Sequence, residues 1–267
     1  MVVFPQAKIN LGLHVLFRRE DGFHEIETCF YPIALSDVLE AVPAGQFHFS
    51  QTGLTVPGSQ EDNLCVKAFN ILHKKYGIDP VHIHLHKIIP MGAGLGGGSS
   101  DGAWMLKLLN SVFSLNIEDE KLRLFAAELG SDCPFFIDPL PAIGSGTGTT
   151  LEPTDLRLTG TYIRIIHPNI HISTAEAYAS LTPVRERQSI QSILDLPPNQ
   201  WEERLVNDFC SSVYERYPEI ARIEDELYDQ GAFYASMSGS GSAVFGLFTT
   251  EPPDINDVRF TWTGKLA

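Results

Sequence analysis

An α+β architecture is what this sequence predicts, and three observations predict it. Short runs of alternating apolar residues are mixed along the chain with segments of helical periodicity. Two glycine-dense stretches, one opening at Pro90 and one spanning Ser236–Phe248, punctuate the chain far apart. The length of 267 residues, 43% hydrophobic and 19% charged, is globular and suffices for one large domain or two of ordinary size.

The elements follow in order. Lys8–Phe17 (KINLGLHVLF) alternates as a strand, and Asp37–Val42 and Gln46–Gln51 read as two more, divided by Pro43–Gly45. Glu61–Gly77 places Leu64, Ala68, Ile71 and Leu72 at helical spacing and ends on a glycine suited to a C-cap. Val81–Ile89 alternates as a strand and runs straight into the first glycine stretch. After it, Trp104, Leu108 and Val112 recur at helical spacing, and Ile117–Gly130 is a further helix. Ile143–Asp155 (IGSGTGTTLEPTD) shows little periodicity of either kind, which sets the expected boundary between domains at 1–150 and 151–267. Beyond it come a strand at Thr161–Pro168, helical stretches between Thr174 and Asp229, the second glycine stretch, and a final strand in the tail.

Charge and cysteine usage narrow the function. With 19 basic and 33 acidic residues the formal net charge is −14, which argues against a broad electrostatic grip on nucleic acid or an anionic membrane. A small anionic ligand needs only a local positive site and stays open. Cys29, Cys65, Cys133 and Cys210 are widely spaced with no CxxC pair, as expected of reduced thiols. The opening MVVFPQAKIN lacks the basic and apolar regions of a secretion signal, and no run of 18 apolar residues occurs. A cytoplasmic protein with no membrane partner is the expectation.

Five of the seven residues Gly92–Gly98 are glycine, yet no lysine or arginine lies between Gly92 and Leu106. Each helical glycine costs about 0.5–1 kcal/mol relative to alanine, so such density implies a backbone that must approach something closely. The G-x-G-x-x-G match at Gly92–Gly97 is weak alone and comes too late in the chain for a dinucleotide fold. A Walker loop needs Gly-Lys-Ser/Thr, whereas Gly98 is followed by Ser99 and Ser100. Strand, glycine loop and helix start nevertheless aim free backbone N–H groups at one point, and Ser99 and Ser100 are candidate N-caps. Anion binding through the backbone is the expectation, with positive charge brought from elsewhere.

These residues carry a resemblance. PMGAGLGGGSSDGA (Pro90–Ala103) resembles the ATP-binding motif of the GHMP small-molecule kinases, SMSGSGSAVFGLF resembles their C-terminal glycine motif, and GSDCPFF (Gly130–Phe136) is similar to their catalytic aspartate segment. The N-terminal AKINLGLHVLFRREDGFHEIETCFYPIALSDVLE is similar to the branch whose acceptor is diphosphocytidyl methylerythritol, in the non-mevalonate isoprenoid pathway. The three motifs stand in family order and cover most of the chain. The resemblance implies a two-domain GHMP fold. Its N-terminal β/α domain would be of the ribosomal protein S5 domain 2-like type with a left-handed crossover, and its C-terminal domain ferredoxin-like.

It also implies residue roles. ATP with Mg²⁺ would lie at Pro90, Met91, Gly92, Ala93, Gly94, Leu95, Gly96, Gly97, Gly98, Ser99 and Ser100, with Asn63 and Lys87 nearby; Lys87 could equally be an edge-strand lysine and Asn63 a helix-start asparagine. Lys8 and Asp132 match the catalytic pair, the carboxylate taking or orienting the acceptor proton and the amine offsetting charge on the transferred group. Asn10 matches a contact to the polyol end. Phe23 and Tyr178 would sandwich the pyrimidine while His24 reads its edge, although both aromatics could serve as core. No residue is assigned to the metal. Two positions depart from the family pattern: Phe23 where tyrosine is usual, and Asp101 where asparagine is usual.

His82, His84 and His86 alternate on one strand face, but parallel side chains on one element do not close a tetrahedral zinc site, so a solvated face is expected. Two rival functions remain: a GHMP kinase of the homoserine or mevalonate type, and a non-catalytic nucleotide sensor. The DGFHE segment speaks against the first, and the pairing of Lys8 with Asp132 against the second.

Overall fold

A computed structural model describes residues 1–267 except 180, 182, 185, 256, 257 and 267. In chain order the strands are β1 (Val2–Val3), β2 (Gln6–Arg18), β3 (His24–Ser36), β4 (Val38–Pro43), β5 (His48–Gly53), β6 (Val81–Lys87), β7 (Ala142–Ser145), β8 (Thr150–Pro153), β9 (Tyr162–His167), β10 (Tyr234–Met237), β11 (Val244–Phe248) and β12 (Phe260–Lys265). The helices are α1 (Leu64–Tyr76), α2 (Gly97–Val112), α3 (Asp119–Leu129), α4 (Thr174–Ala179), α5 (Ile190–Leu194), α6 (Phe209–Arg216) and α7 (Pro218–Asp229). The chain forms two compact units, the first from residues 1–7, 35–91 and 96–139, the second from 8–34, 92–95 and 140–267.

The first unit is a four-stranded sheet, β1-β4-β6-β5, with three helices. Strand β6 shows why the sheet is two-faced. Val81, Ile83 and Leu85 are buried and alternate with the more exposed His82, His84 and His86. Across the antiparallel register Leu39 meets Leu85 and Ala41 meets Ile83, so the apolar sides of both strands fall together. Strand β5 pairs parallel with β6, and α1 is the crossover between them. Helix α1 ends at the glycine expected but begins at Leu64, three residues after the expected Glu61. Asn63 Oδ1 accepts the Cys65 N–H at one end, and Gly77 adopts φ 64° at the other.

The second unit holds two antiparallel sheets. In β10-β11-β9-β12 the strands, taken as they occur in the chain, lie in the order second, third, first, fourth, which is the ferredoxin-like order. Ile166, Val244 and Met237 from this sheet pack with Ile220, Ile223 and Leu227 of α7 and with Phe209 and Val213 of α6. The connection from β11 to β12 carries no helix among its described residues. The other sheet, β2-β3-β7-β8, contains two features absent from the sequence reading. Ile143–Asp155 is in large part a hairpin, with Ile143 opposite Glu152 and Gly144 opposite Leu151. Gly144 has no side chain because a Cβ there would lie 2.5 Å from the Phe30 ring. Strand β3 is the second feature; Thr28–Phe30 is registered with β7, and Pro32 sits outside that stretch.

Strand β2 is as expected, but its alternation is not a half-exposed pattern: Ala7 through Val15 are all buried, so both of its faces are covered. The helices between Thr174 and Asp229 are present as four separate elements, with residues 180, 182 and 185 of that span outside the described residues. No helix among the described residues is long and apolar enough to cross a membrane.

Candidate active site

Strand β6 ends at Lys87 and α2 begins at Gly97, and the glycine loop is strung between them. The N-cap of α2 is Gly96, at φ 69°, with no side chain to cap it. Ser99 and Ser100 are therefore not caps, contrary to the sequence expectation; they lie within the first turns, where Ser100 is fully buried. The reason is spatial. A Cβ at Gly97 would come 2.8 Å from Ile89 Cγ2 and 2.9 Å from Lys87 Nζ, so the helix must start on glycine close against β6. Gly98 is different, because a Cβ there would meet only Met91 Cε at 3.7 Å. The first turn of α2 thus presents backbone N–H groups without side-chain competition, which suits a phosphate.

In the second unit the two glycine stretches meet. The Ala243 N–H donates to Ala93 O, and the Lys8 N–H donates to Leu95 O. Gly94, at φ 76°, lies so close to Ser238 that a Cβ would fall 1.8 Å from the Ser238 carbonyl oxygen. Ser238 Oγ donates to Gly94 O at 2.9 Å and accepts the Asn10 N–H at 3.2 Å. Lys8 Nζ donates to the same Gly94 O at 2.8 Å and to Asn10 Oδ1 at 2.5 Å. Asn207 Nδ2 donates to Met237 O and Gly239 O, fixing the turn that carries Ser238. Lys8 and Asn10, two residues apart on β2, are buried and point the same way because the strand period is two. Gly92, whose Cβ would touch the His171 ring, completes this segment.

Lys87, expected near the nucleotide or as an edge-strand lysine, lies on an inner strand of its sheet, in a buried ion cluster. Lys87 Nζ is fully buried, donating to Asp37 Oδ2 and, at 2.8 Å, to Asp101 Oδ2. Asp37 Oδ1 also accepts the N–H groups of Ile88 and Ile89. One ammonium faces two carboxylates, and Asp101 Oδ1 has no hydrogen-bond partner. The excess charge falls there: burial first, and then the charge of Asp37, push the Asp101 carboxyl up to about 8 against the pull of Lys87. The cluster braces the end of β6 against α2. Asp37 is missed by sequence reasoning because nothing in PIALSD distinguishes it from a turn aspartate.

Asp132 follows α3 and stands, half-buried, at the head of a 3₁₀ turn, Cys133–Ile137. That turn is anchored on α2: Lys107 Nζ donates to Ile137 O at 2.6 Å, and Ser99 hydrogen-bonds the Cys133 thiol, which burial pushes up to about 12. The glycine loop's helix and the aspartate segment are therefore held together within the first unit. Asn63 spends its Oδ1 on the α1 cap.

Among the residues offered for a pyrimidine, His24 and Tyr178 are stacked, with ring centroids 4.5 Å apart and planes within 15°. Phe23 is 64% exposed. Burial, and secondarily the charge of Arg18, lower the His24 pKa, favouring the neutral ring. On the β6 face, His84 is hydrogen-bonded to Ser50 and Thr52, and His86 to Thr52. Among the described residues no group of three His, Cys, Asp or Glu side chains is placed to hold a metal ion.

Comparison with known proteins gives a consistent result. The family model for the GHMP kinases N terminal domain matches residues 63–138, and that for the GHMP kinases C terminal matches 199–260. The chain is 49% identical to the 4-diphosphocytidyl-2-C-methyl-D-erythritol kinase of Parabacteroides distasonis, over 100% of both chains. It is 48% identical to the protein of the same name from Cytophaga hutchinsonii, over 96% of each. A crystal structure of a 4-(cytidine 5'-diphospho)-2C-methyl-D-erythritol kinase superposes with a TM-score of 0.81 at 33% identity, covering 92% of this chain and 90% of that one.

Proposed function

The chain belongs to the 4-diphosphocytidyl-2-C-methyl-D-erythritol kinases of the GHMP family, and from that premise we propose that Lys8, Asp132 and the glycine loop transfer the γ-phosphoryl group of ATP to the 2-hydroxyl of 4-diphosphocytidyl-2-C-methyl-D-erythritol, a step of non-mevalonate isoprenoid synthesis. Asp132 takes the hydroxyl proton, or holds that hydroxyl in line. The new oxygen–phosphorus bond forms as the bond to the β-phosphate oxygen breaks, and ADP leaves. The N–H groups at the start of α2 receive phosphate oxygens. Lys8, held between Asn10 Oδ1 and Gly94 O, supplies the fixed positive charge that the loop lacks. Bound to the nucleotide, Mg²⁺ would offset part of the triphosphate charge. Phe23, His24 and Tyr178 take the cytosine ring, and Asn10 the polyol end. Lys87 and Asn63 act beneath the nucleotide as supports of α2 and α1. A cytoplasmic location completes the proposal.

The observation that carries it is the network in which Lys8, Asn10, Gly94 and Ser238 are bonded to one another, since it ties the proposed catalytic lysine to both glycine motifs. A coupled ADP-release assay with Mg²⁺-ATP tests the proposal, comparing the diphosphocytidyl acceptor with homoserine and mevalonate. Turnover confined to the cytidyl compound is expected; turnover of another alcohol instead would remove the pyrimidine site. Asp132→Ala should lower kcat by about 10²–10⁴-fold with ATP binding retained. Near-normal turnover by that variant would remove Asp132 from the chemistry.

A further inference from the structure

We propose that Thr28 is a positioning residue for the phosphoryl-transfer site, setting the orientation of the Asn10 amide and through it the location of the Lys8 ammonium. This inference rests on the functional reading above and assigns a residue which that reading leaves unused.

The argument is one of hydrogen-bond direction. Thr28 is fully buried on β3, beside β2 in the sheet. Its hydroxyl has one proton, and Gly12 O takes it at 2.6 Å. Toward any other neighbour the Thr28 oxygen can then act only as an acceptor. Asn10 Nδ2 lies 2.9 Å away and donates to it. An amide whose NH₂ is held on one side must show its carbonyl oxygen on the other, and Oδ1 is where Lys8 Nζ donates. With the amide turned over, the NH₂ would face the ammonium, donor against donor, and Lys8 would lose the Asn10 acceptor. The polarity of the chain from Gly12 O through Thr28 and Asn10 to Lys8 is therefore set at its far end.

Gly12 makes that end possible. It sits within β2 at φ 66°, turning its carbonyl out of the regular strand pattern, and a Cβ there would come 2.8 Å from Leu205 Cδ1. Lys8, Asn10 and Thr28 are 3%, 2% and 0% exposed, so bulk water is not available to replace a missing partner. Thr28 itself touches neither the loop carbonyl nor Lys8 in this network and acts through Asn10.

The test uses the full chain with Thr28→Val, which keeps the shape and removes the hydroxyl, and Thr28→Ser, which keeps the hydroxyl. With Mg²⁺-ATP and the diphosphocytidyl acceptor, Thr28→Val should lower kcat by about ten- to a hundredfold while KM for ATP stays within about twofold. Thr28→Ser should recover kcat to within about threefold of wild type. In ¹⁵N-labelled protein the Asn10 side-chain NH₂ should be protected from exchange in wild type and Thr28→Ser, and lose protection in Thr28→Val. If Thr28→Val does not fold, Thr28→Ala replaces it in both measurements. Undiminished kcat in Thr28→Val, or a Thr28→Ser variant as impaired as it, overturns the proposal. Should wild type fail to phosphorylate the cytidyl acceptor, the functional reading falls, and the Asn10 amide measurement alone decides whether Thr28 orients it.

Discussion

Gly94 and Gly98 are indistinguishable as letters in one glycine run, yet the structure gives them opposite mutational fates. A Cβ at Gly94 has no space, 1.8 Å from the Ser238 carbonyl oxygen, and the backbone there is left-handed. Gly94→Ala should cost more than about 3 kcal/mol and separate the two glycine stretches, seen as loss of a cooperative melt near the wild-type temperature. A Cβ at Gly98 would make only an ordinary contact, 3.7 Å from Met91 Cε, so Gly98→Ala should melt like wild type. A methyl group would then stand where the proposal brings phosphate to α2, and KM for ATP should rise about tenfold or more. A Gly98→Ala enzyme with wild-type KM would place the phosphates elsewhere. Asp101 is a third residue whose meaning appears only in three dimensions. Its raised carboxyl means the folded state keeps a proton that the unfolded chain releases, so stability declines as pH climbs from about 4 toward 8. Asp101→Asn should therefore gain in melting temperature over wild type across that interval, with little difference at its acid end. A gain of equal size at every pH would detach the effect from the Asp101 charge.

At the scale of elements, the pair α6 and α7 carries a similar liability in the second unit. Tyr214 of α6 donates its hydroxyl proton to Glu224 of α7. Burial foremost, with Asp225 and Glu202 adding to it, pushes the Glu224 carboxyl up to about 7 despite the Tyr214 bond. Below about pH 4.5 both folded and unfolded states hold this proton. Between there and 7 only the unfolded state loses it, so folding is penalised progressively and fully above 7. Glu224→Gln keeps an acceptor for Tyr214 and drops the charge. It should raise the melting temperature at pH 8 by roughly 4–8 °C, from about 2–3 kcal/mol, and change it little near pH 4.5. Equal shifts at both pH values would exclude the carboxylate's charge as the cause. The same scale shows what was legible in the sequence. Helix α1 was readable to its C-terminal Gly77, although it begins at Leu64 rather than Glu61, and β6 was readable from its alternation, because each signal is local. Strand β3 and the β7–β8 hairpin were not. Buried on both sides or built from glycine and threonine, they lack a period, and their cause is the cross-strand partner, such as Phe30 over Gly144. The candidate site divides likewise: Lys8 and Asp132 are proposed through motif resemblance, whereas Thr28, Asp37 and Ser238 come into view only through hydrogen bonds that no spacing encodes.

For the whole molecule the decisive quantity is the net charge of −14, set against two substrates that are both polyanions. The long-range field repels ATP and the diphosphocytidyl acceptor alike. The groups proposed to attract them act at short range: Lys8 is buried and hydrogen-bonded to Asn10 Oδ1 and Gly94 O, and the positive end of α2 fades within a turn. Added salt screens the distant repulsion before the local attraction, because the Debye length falls from about 30 Å at 0.01 M to about 10 Å at 0.1 M. Capture should therefore improve over that range, with kcat/KM for either substrate rising about two- to threefold while kcat is unchanged. In the proposed assignment the transferred group meets Lys8, which is buried beyond the reach of added salt. Steady-state kinetics in a series of potassium chloride concentrations at constant Mg²⁺ measures this. A kcat/KM that falls steadily from the lowest salt would mean that surface cations near the site outweigh the overall charge. A change in kcat would mean that the transfer itself, rather than the encounter, is exposed to solvent ions.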